Sequence, residues 1–121
     1  MPFLLFITLW GAYSHSPTQA QRFAGQWYIE EIDQTTLKIY QASDGFWYGK
    51  IIDSAEEDNI GDLLLEKLSY QEEEGTLEGN IIQQFSGITA TAILELRAPG
   101  TLEMTISKFF MTKTVLMERP L

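Results

Sequence analysis

The stretch from Gly25 to Ile52, GQWYIEEIDQTTLKIYQASDGFWYGKII, restricts the fold more than any other part of the chain. It holds three runs rich in β-branched and aromatic residues, separated by two tight turn signals. Gly25-Gln26-Trp27 opens the first run, which ends near Ile32. Thr35 to Ala42 forms the second, and Ser43-Asp44-Gly45 leads into the third, Phe46 to Asp53. Asp-Gly between apolar alternations is among the strongest local signals for an antiparallel hairpin, because such turns need residues that tolerate positive φ. A chain that starts as a meander is expected to continue as one.

The remainder fits that expectation. Ser54 to Asp62 is polar, acidic and aperiodic, so it reads as a surface loop. Leu63 to Tyr70 resumes an extended pattern, although LLLEKL is also compatible with a helical turn. Leu77 to Phe85 alternates, with Leu77, Gly79, Ile81, Gln83 and Phe85 on one face. Thr89 to Arg97 places Ala90, Ala92, Leu94 and Leu96 together, and Ala98-Pro99-Gly100 is a turn tripeptide. Thr101 to Ser107 puts Leu102, Met104 and Ile106 opposite Thr101, Glu103, Thr105 and Ser107, the mark of a half-buried strand. Lys113 to Arg119 closes the series and Pro120 stops it. The predicted fold is all-β: a small up-and-down antiparallel barrel of about eight strands, in which closure removes the exposed edges.

At 121 residues this is one domain with a single core. The formal net charge of -9 argues against a nucleic-acid partner, which needs a basic surface. It also argues against anionic membrane surfaces. With no cysteine, disulfides, thiolate metal sites and cysteine nucleophiles are excluded.

Met1 to Ala20 carries no charged residue, runs apolar from Phe3 to Tyr13, and ends in small and polar residues. That order is expected of a secretory signal peptide over 1–20, leaving residues 21–121 as the barrel domain, periplasmic or secreted. The basic start usual in such segments is missing, so an upstream start, an apolar strand and an uncleaved anchor stay open. The apolar run is short for a membrane span, which needs about 20 residues. His15 is the only histidine, so the cleaved protein would have none.

Gly25-Gln26-Trp27 at the start of the strand series and Arg119 at its end resemble the lipocalin and calycin pattern. In that pattern a Gly-x-Trp in strand one lies beneath an Arg of the last strand. More narrowly, residues 24 to 119 resemble an uncharacterised family of secreted bacterial proteins with a lipocalin-like barrel, a domain of unknown function. The carrying motifs are Ile39-Tyr40 with Asp44-Gly45-Phe46-Trp47-Tyr48-Gly49-Lys50-Ile51, then Leu77-Glu78-Gly79-Asn80-Ile81-Ile82, then Met117-Glu118-Arg119. Asn80 stands where the family has a second Gly, and Met117 where it has Trp. The loop after the third strand is often longer and cysteine-bearing in such relatives. The resemblance implies export, a small barrel and a Trp27–Arg119 pair that closes one end, with no established activity.

Chemistry has few candidates. A serine or threonine nucleophile needs a base such as histidine, and the cleaved chain would lack one. Glu56, Glu57, Asp58 and Asp62 could hold a cation by oxygen ligands but lack EF-hand spacing; a solvated loop is the plainer reading. Glu30, Glu31, Glu78, Glu95 and Glu103 are the carboxylates considered for a hydrolase, with Glu78 and Glu95 interrupting apolar stretches. Tyr28, Tyr40, Trp47 and Tyr48 cluster in the opening meander, either lining a mouth pocket for a small hydrophobic ligand or packing the core. Trp47 and Tyr48 cannot both point inward. Phe109-Phe110-Met111 breaks alternation and reads as a bulge, a lid or a partner contact. The expected function is a non-enzymatic exported barrel without cofactor or metal, binding a small hydrophobic ligand. The alternatives are a solid-core interaction module and, at low weight, a carboxylate hydrolase.

Overall fold

The computed structural model describes residues 19–82 and 89–120. The proposed signal segment falls outside the described residues except for Gln19 and Ala20, and so do Phe85 and the Ser86-Gly87 turn. The 20/21 boundary falls inside a 3₁₀ turn, Gln19–Phe23.

Eight strands run in order: β1 Gly25–Ile29, β2 Thr35–Gln41, β3 Trp47–Asp53, β4 Leu63–Gln71, β5 Thr76–Ile82, β6 Thr89–Ala98, β7 Thr101–Lys108 and β8 Met111–Glu118. Each pairs antiparallel with the next, and β8 returns to β1, closing an up-and-down barrel. There is no α-helix among the described residues, and no helix there is long and apolar enough to cross a membrane.

The period of two decides what fills the interior. Trp27 and Ile29, Leu37 and Ile39, Trp47 and Ile51, Leu77 and Ile81, Ala92 and Leu94, Leu102 and Met104, and Val115 and Met117 are all buried. Each strand thus contributes a pair of apolar residues while its intervening positions face water.

β4 departs from this rule, and it is a strand, so the helical alternative for LLLEKL falls away. Its register slips against both β3 and β5, and Lys67 sits at φ +54. Leu64 and Leu65 are consecutive yet both buried. The bulge pushes β4 backbone toward β5, where Gly79 receives it. A Cβ on Gly79 would lie 2.6 Å from the Lys67 carbonyl oxygen and 2.8 Å from that of Glu66. The missing side chain on one strand is what admits the extra residue on its neighbour.

β8 begins two residues earlier than its sequence suggests. Lys108 pairs with Met111, so Phe109 and Phe110 are the two-residue turn of the β7–β8 hairpin and not a bulge. The β1–β8 seam is short: Tyr28 opposite Glu118 is its single register pair, against eight pairs between β7 and β8.

Candidate functional site

The two ends of the barrel differ. At one end the seam is closed by side chains. The Trp27 indole is fully buried and its Nε1 donates to the Phe23 carbonyl at 2.8 Å. The Arg119 guanidinium carbon lies 3.8 Å from the centre of the Trp27 ring. Its Nη1 donates to the carbonyls of Ala24 at 2.9 Å and Gln26 at 3.3 Å, and its Nη2 to that of Arg22 at 3.0 Å. Burial lowers the Arg119 pKa from its ordinary value, and it remains a cation at neutral pH. Gly25 is required twice over: its φ is +113, and a Cβ there would meet Arg119 Nη1 at 2.8 Å. Phe23 is buried against the Tyr70 ring edge, centroids 6.4 Å apart.

Among the described residues the opposite end is open; residues 83–88, which join β5 to β6 there, lie outside them. A cavity of about 770 Å³ lies among the β1–β2 turn, the β3–β4 loop, the ends of β5 and β6, and the β7–β8 hairpin. Ile32, Leu64, Ile81, Ile82, Ala90 and Ile106 supply its apolar wall. Asp33, Glu56 and Asn59 line one part of it, and Lys108, Thr112 and Lys113 another. Lys108 and Lys113 make no ion pair with a carboxylate among the described residues. An apolar wall with charges of both signs suits an amphipathic molecule better than a purely hydrocarbon one.

None of Tyr28, Tyr40, Trp47 and Tyr48 lines this cavity. Trp47 points inward and is buried, in the half of the barrel nearer the closed end. The three tyrosines lie on the outer face. Tyr28 donates to Glu30 Oε1 at 2.8 Å, a bond that raises its pKa. Tyr40 and Tyr48 stack across β2 and β3, ring centres 6.0 Å apart and planes at 25°. Tyr48 donates to Asp44 Oδ2 at 2.5 Å, which pushes its own pKa up to about 12 and lowers that of Asp44. The placement of these rings at a pocket mouth is therefore corrected by strand phase. Tyr40 shares a face with Lys38, and Tyr48 with Lys50.

The carboxylates considered for hydrolysis are also elsewhere. Glu95 stands opposite Glu103 across β6 and β7, and Arg97 pairs with both. Glu78 accepts from Thr76 Oγ1 at 3.1 Å, and Glu30 from Tyr28. Glu31 is exposed. No group of three or more metal-ligating side chains comes together among the described residues, the acidic loop included.

The cavity residues that sequence reasoning missed, Lys108 and Lys113, had a signal. The inward series Leu102, Met104, Ile106 runs on to Lys108, and Met117, Val115 runs back to Lys113 and Met111. A lysine in the inward phase marks the height at which the barrel interior becomes wet. Comparisons with protein-family models, curated proteins and solved structures find no match to this chain.

Proposed function

We propose that the chain is an exported, non-enzymatic barrel that takes a small amphipathic ligand, apolar body first, into its open end. The observation that carries this is the cavity of about 770 Å³ with a mainly aliphatic wall. Ligand sites run from roughly 300 to 1,000 Å³. The closed end carries a smaller cavity of about 370 Å³ lined largely by polar and acidic side chains, among them Glu72, Glu73, Glu74 and Glu95, which suits an apolar ligand body less well. The Gly25-Gln26-Trp27 and Arg119 motifs and the apolar start of the chain support the same reading, export included.

The test is native mass spectrometry of protein purified from its own cells without denaturation. A small molecule should accompany the wild type and be lost from Ala90→Trp, where an indole occupies the cavity. A reproducibly empty wild type that also fails to bind an apolar fluorescent probe sinks the reading. That result would favour a barrel working through its outer surface, for which the exposed Phe109 and Phe110 are the supporting observation.

A further inference from the structure

The β7–β8 turn answers to neither turn chemistry nor core packing. A two-residue hairpin loop with positive φ at its first residue alone favours glycine there. Here that residue is Phe109, at φ +57, a costly conformation for a bulky side chain. No packing offsets it: Phe109 is 90% exposed, Phe110 is fully exposed, and Met111 is 77% exposed. Three consecutive large apolar side chains thus project from the open end.

Charge says what covers them. The chain carries -9 overall, yet this tip is flanked by Lys108 and Lys113 with no carboxylate partner among the described residues. The Lys108 ammonium lies 5.7 Å from the Phe109 ring centre, so its stem runs beside the ring with its charge at the apolar margin. An apolar tip with cations at its base is the arrangement that enters the headgroup–acyl boundary while ammonium groups stay among the phosphates.

We propose that this tip docks the barrel onto a phospholipid bilayer, Phe109, Phe110 and Met111 entering the interface and Lys108 and Lys113 contacting lipid phosphates. The acidic loops at the same end, with Glu30, Glu31, Asp33 and Glu56, confine the contact to the hairpin and keep it shallow. Met111 and Lys113 also line the cavity, so docking brings its mouth to the membrane surface. The docking holds whether or not the cavity is loaded.

Flotation of the full chain with phosphatidylcholine vesicles containing a minor share of phosphatidylglycerol tests it. The wild type should float with the vesicles. Phe109→Gly/Phe110→Asn places glycine at the one position of positive φ, so its fold is not at risk, and its vesicle affinity should fall about tenfold or more. Lys108→Glu/Lys113→Glu should weaken flotation while leaving circular dichroism unchanged. A wild type that stays at the bottom overturns docking, and so does a Gly-Asn variant that floats as well as the wild type. A wild-type dimer that the Gly-Asn variant splits into monomers, with no flotation of either, assigns the tip to a second copy of the chain and overturns it too.

Discussion

The closed and open ends of this barrel are made by the same strands and the same inward phase, Leu102 to Lys108 on β7 and Met117 to Met111 on β8. On β7 the inward positions run Leu102, Met104, Ile106, Lys108, from fully buried to half-exposed. On β8 they run Met117, Val115, Lys113, Met111, again from buried to exposed. At the closed end a short seam with one backbone register pair is reinforced by three Arg119 hydrogen bonds to carbonyls of the opposite terminus and by the stack on Trp27. At the open end nothing equivalent is built among the described residues, and the space is left as a cavity edged by charge. The closing contacts are concentrated where the first and last strands meet, which frees the other end to be wet, strained and accessible.

If that division is right, matched truncations should differ. Trp27→Ala removes a fully buried indole and leaves the Phe23 carbonyl without its donor, so it should cost about 3–5 kcal/mol in urea unfolding. Ile106→Ala, at a half-buried position facing existing space, should cost about 1–2 kcal/mol. Equal losses would mean that the ends are not energetically distinct.

Gly79→Ala probes the bulge instead of the ends. The new Cβ would press on the Lys67 and Glu66 carbonyls, which are backbone and cannot swing aside. About 1–3 kcal/mol of destabilisation is expected by the same measurement. A neutral outcome would show that β4 relaxes freely against β5.

Arg119→Lys comes next. It keeps the positive charge and the aliphatic stem but loses the planar face on Trp27 and the fork that reaches three carbonyls. The expected cost is about 1–2 kcal/mol, part of the contact being solvent-exposed. A lysine variant as stable as the wild type would leave packing alone to close the seam.

These same elements show how far the sequence could be read. Strand existence was legible because local alternation carries it: Leu102, Met104 and Ile106 need no partner to be recognised as one face. The Asp44-Gly45 turn was legible for the same reason, its φ at Gly45 being +89. The β4 bulge was not, because its signal sits on β5: Gly79 is informative only once the register of the two strands is known. The aromatic cluster was placed on the wrong face through phase. Aromatic content drew attention to Tyr40 and Tyr48, while Lys38 and Lys50, two residues from each, already marked those faces as outward. The cavity is lined mainly by aliphatic residues and Ala90, which carry no chemical signature and gain meaning only from their height in the barrel.

The smallest expected effect lies on the outer wall of the closed end, in the Tyr48–Asp44 hydrogen bond. The bond favours protonated Tyr48 and ionised Asp44, so one pKa rises to about 12 and the other falls. Asp44 keeps its native pKa below its unfolded one, so its contribution is present above the unfolded carboxylate value of about 3.9 and fades as pH drops through the lowered native value. Tyr48 has the opposite sense: its contribution is complete below the unfolded tyrosine value of about 10 and fades as pH rises toward about 12. Both groups face solvent, so the whole effect should be smaller than that of Arg119→Lys. Tyr48→Phe deletes the bond. Its stability difference from wild type should be flat from about pH 5 to 9 and shrink in acid below about pH 4. Ultraviolet titration should lose one late-ionising tyrosine in the variant. Met111→Ala, at the other end and remote from this pair, should retain the wild-type pH profile. A Tyr48→Phe difference that persists undiminished in acid would show that the ring's stacking on Tyr40, and not its hydroxyl, is what the outer wall uses.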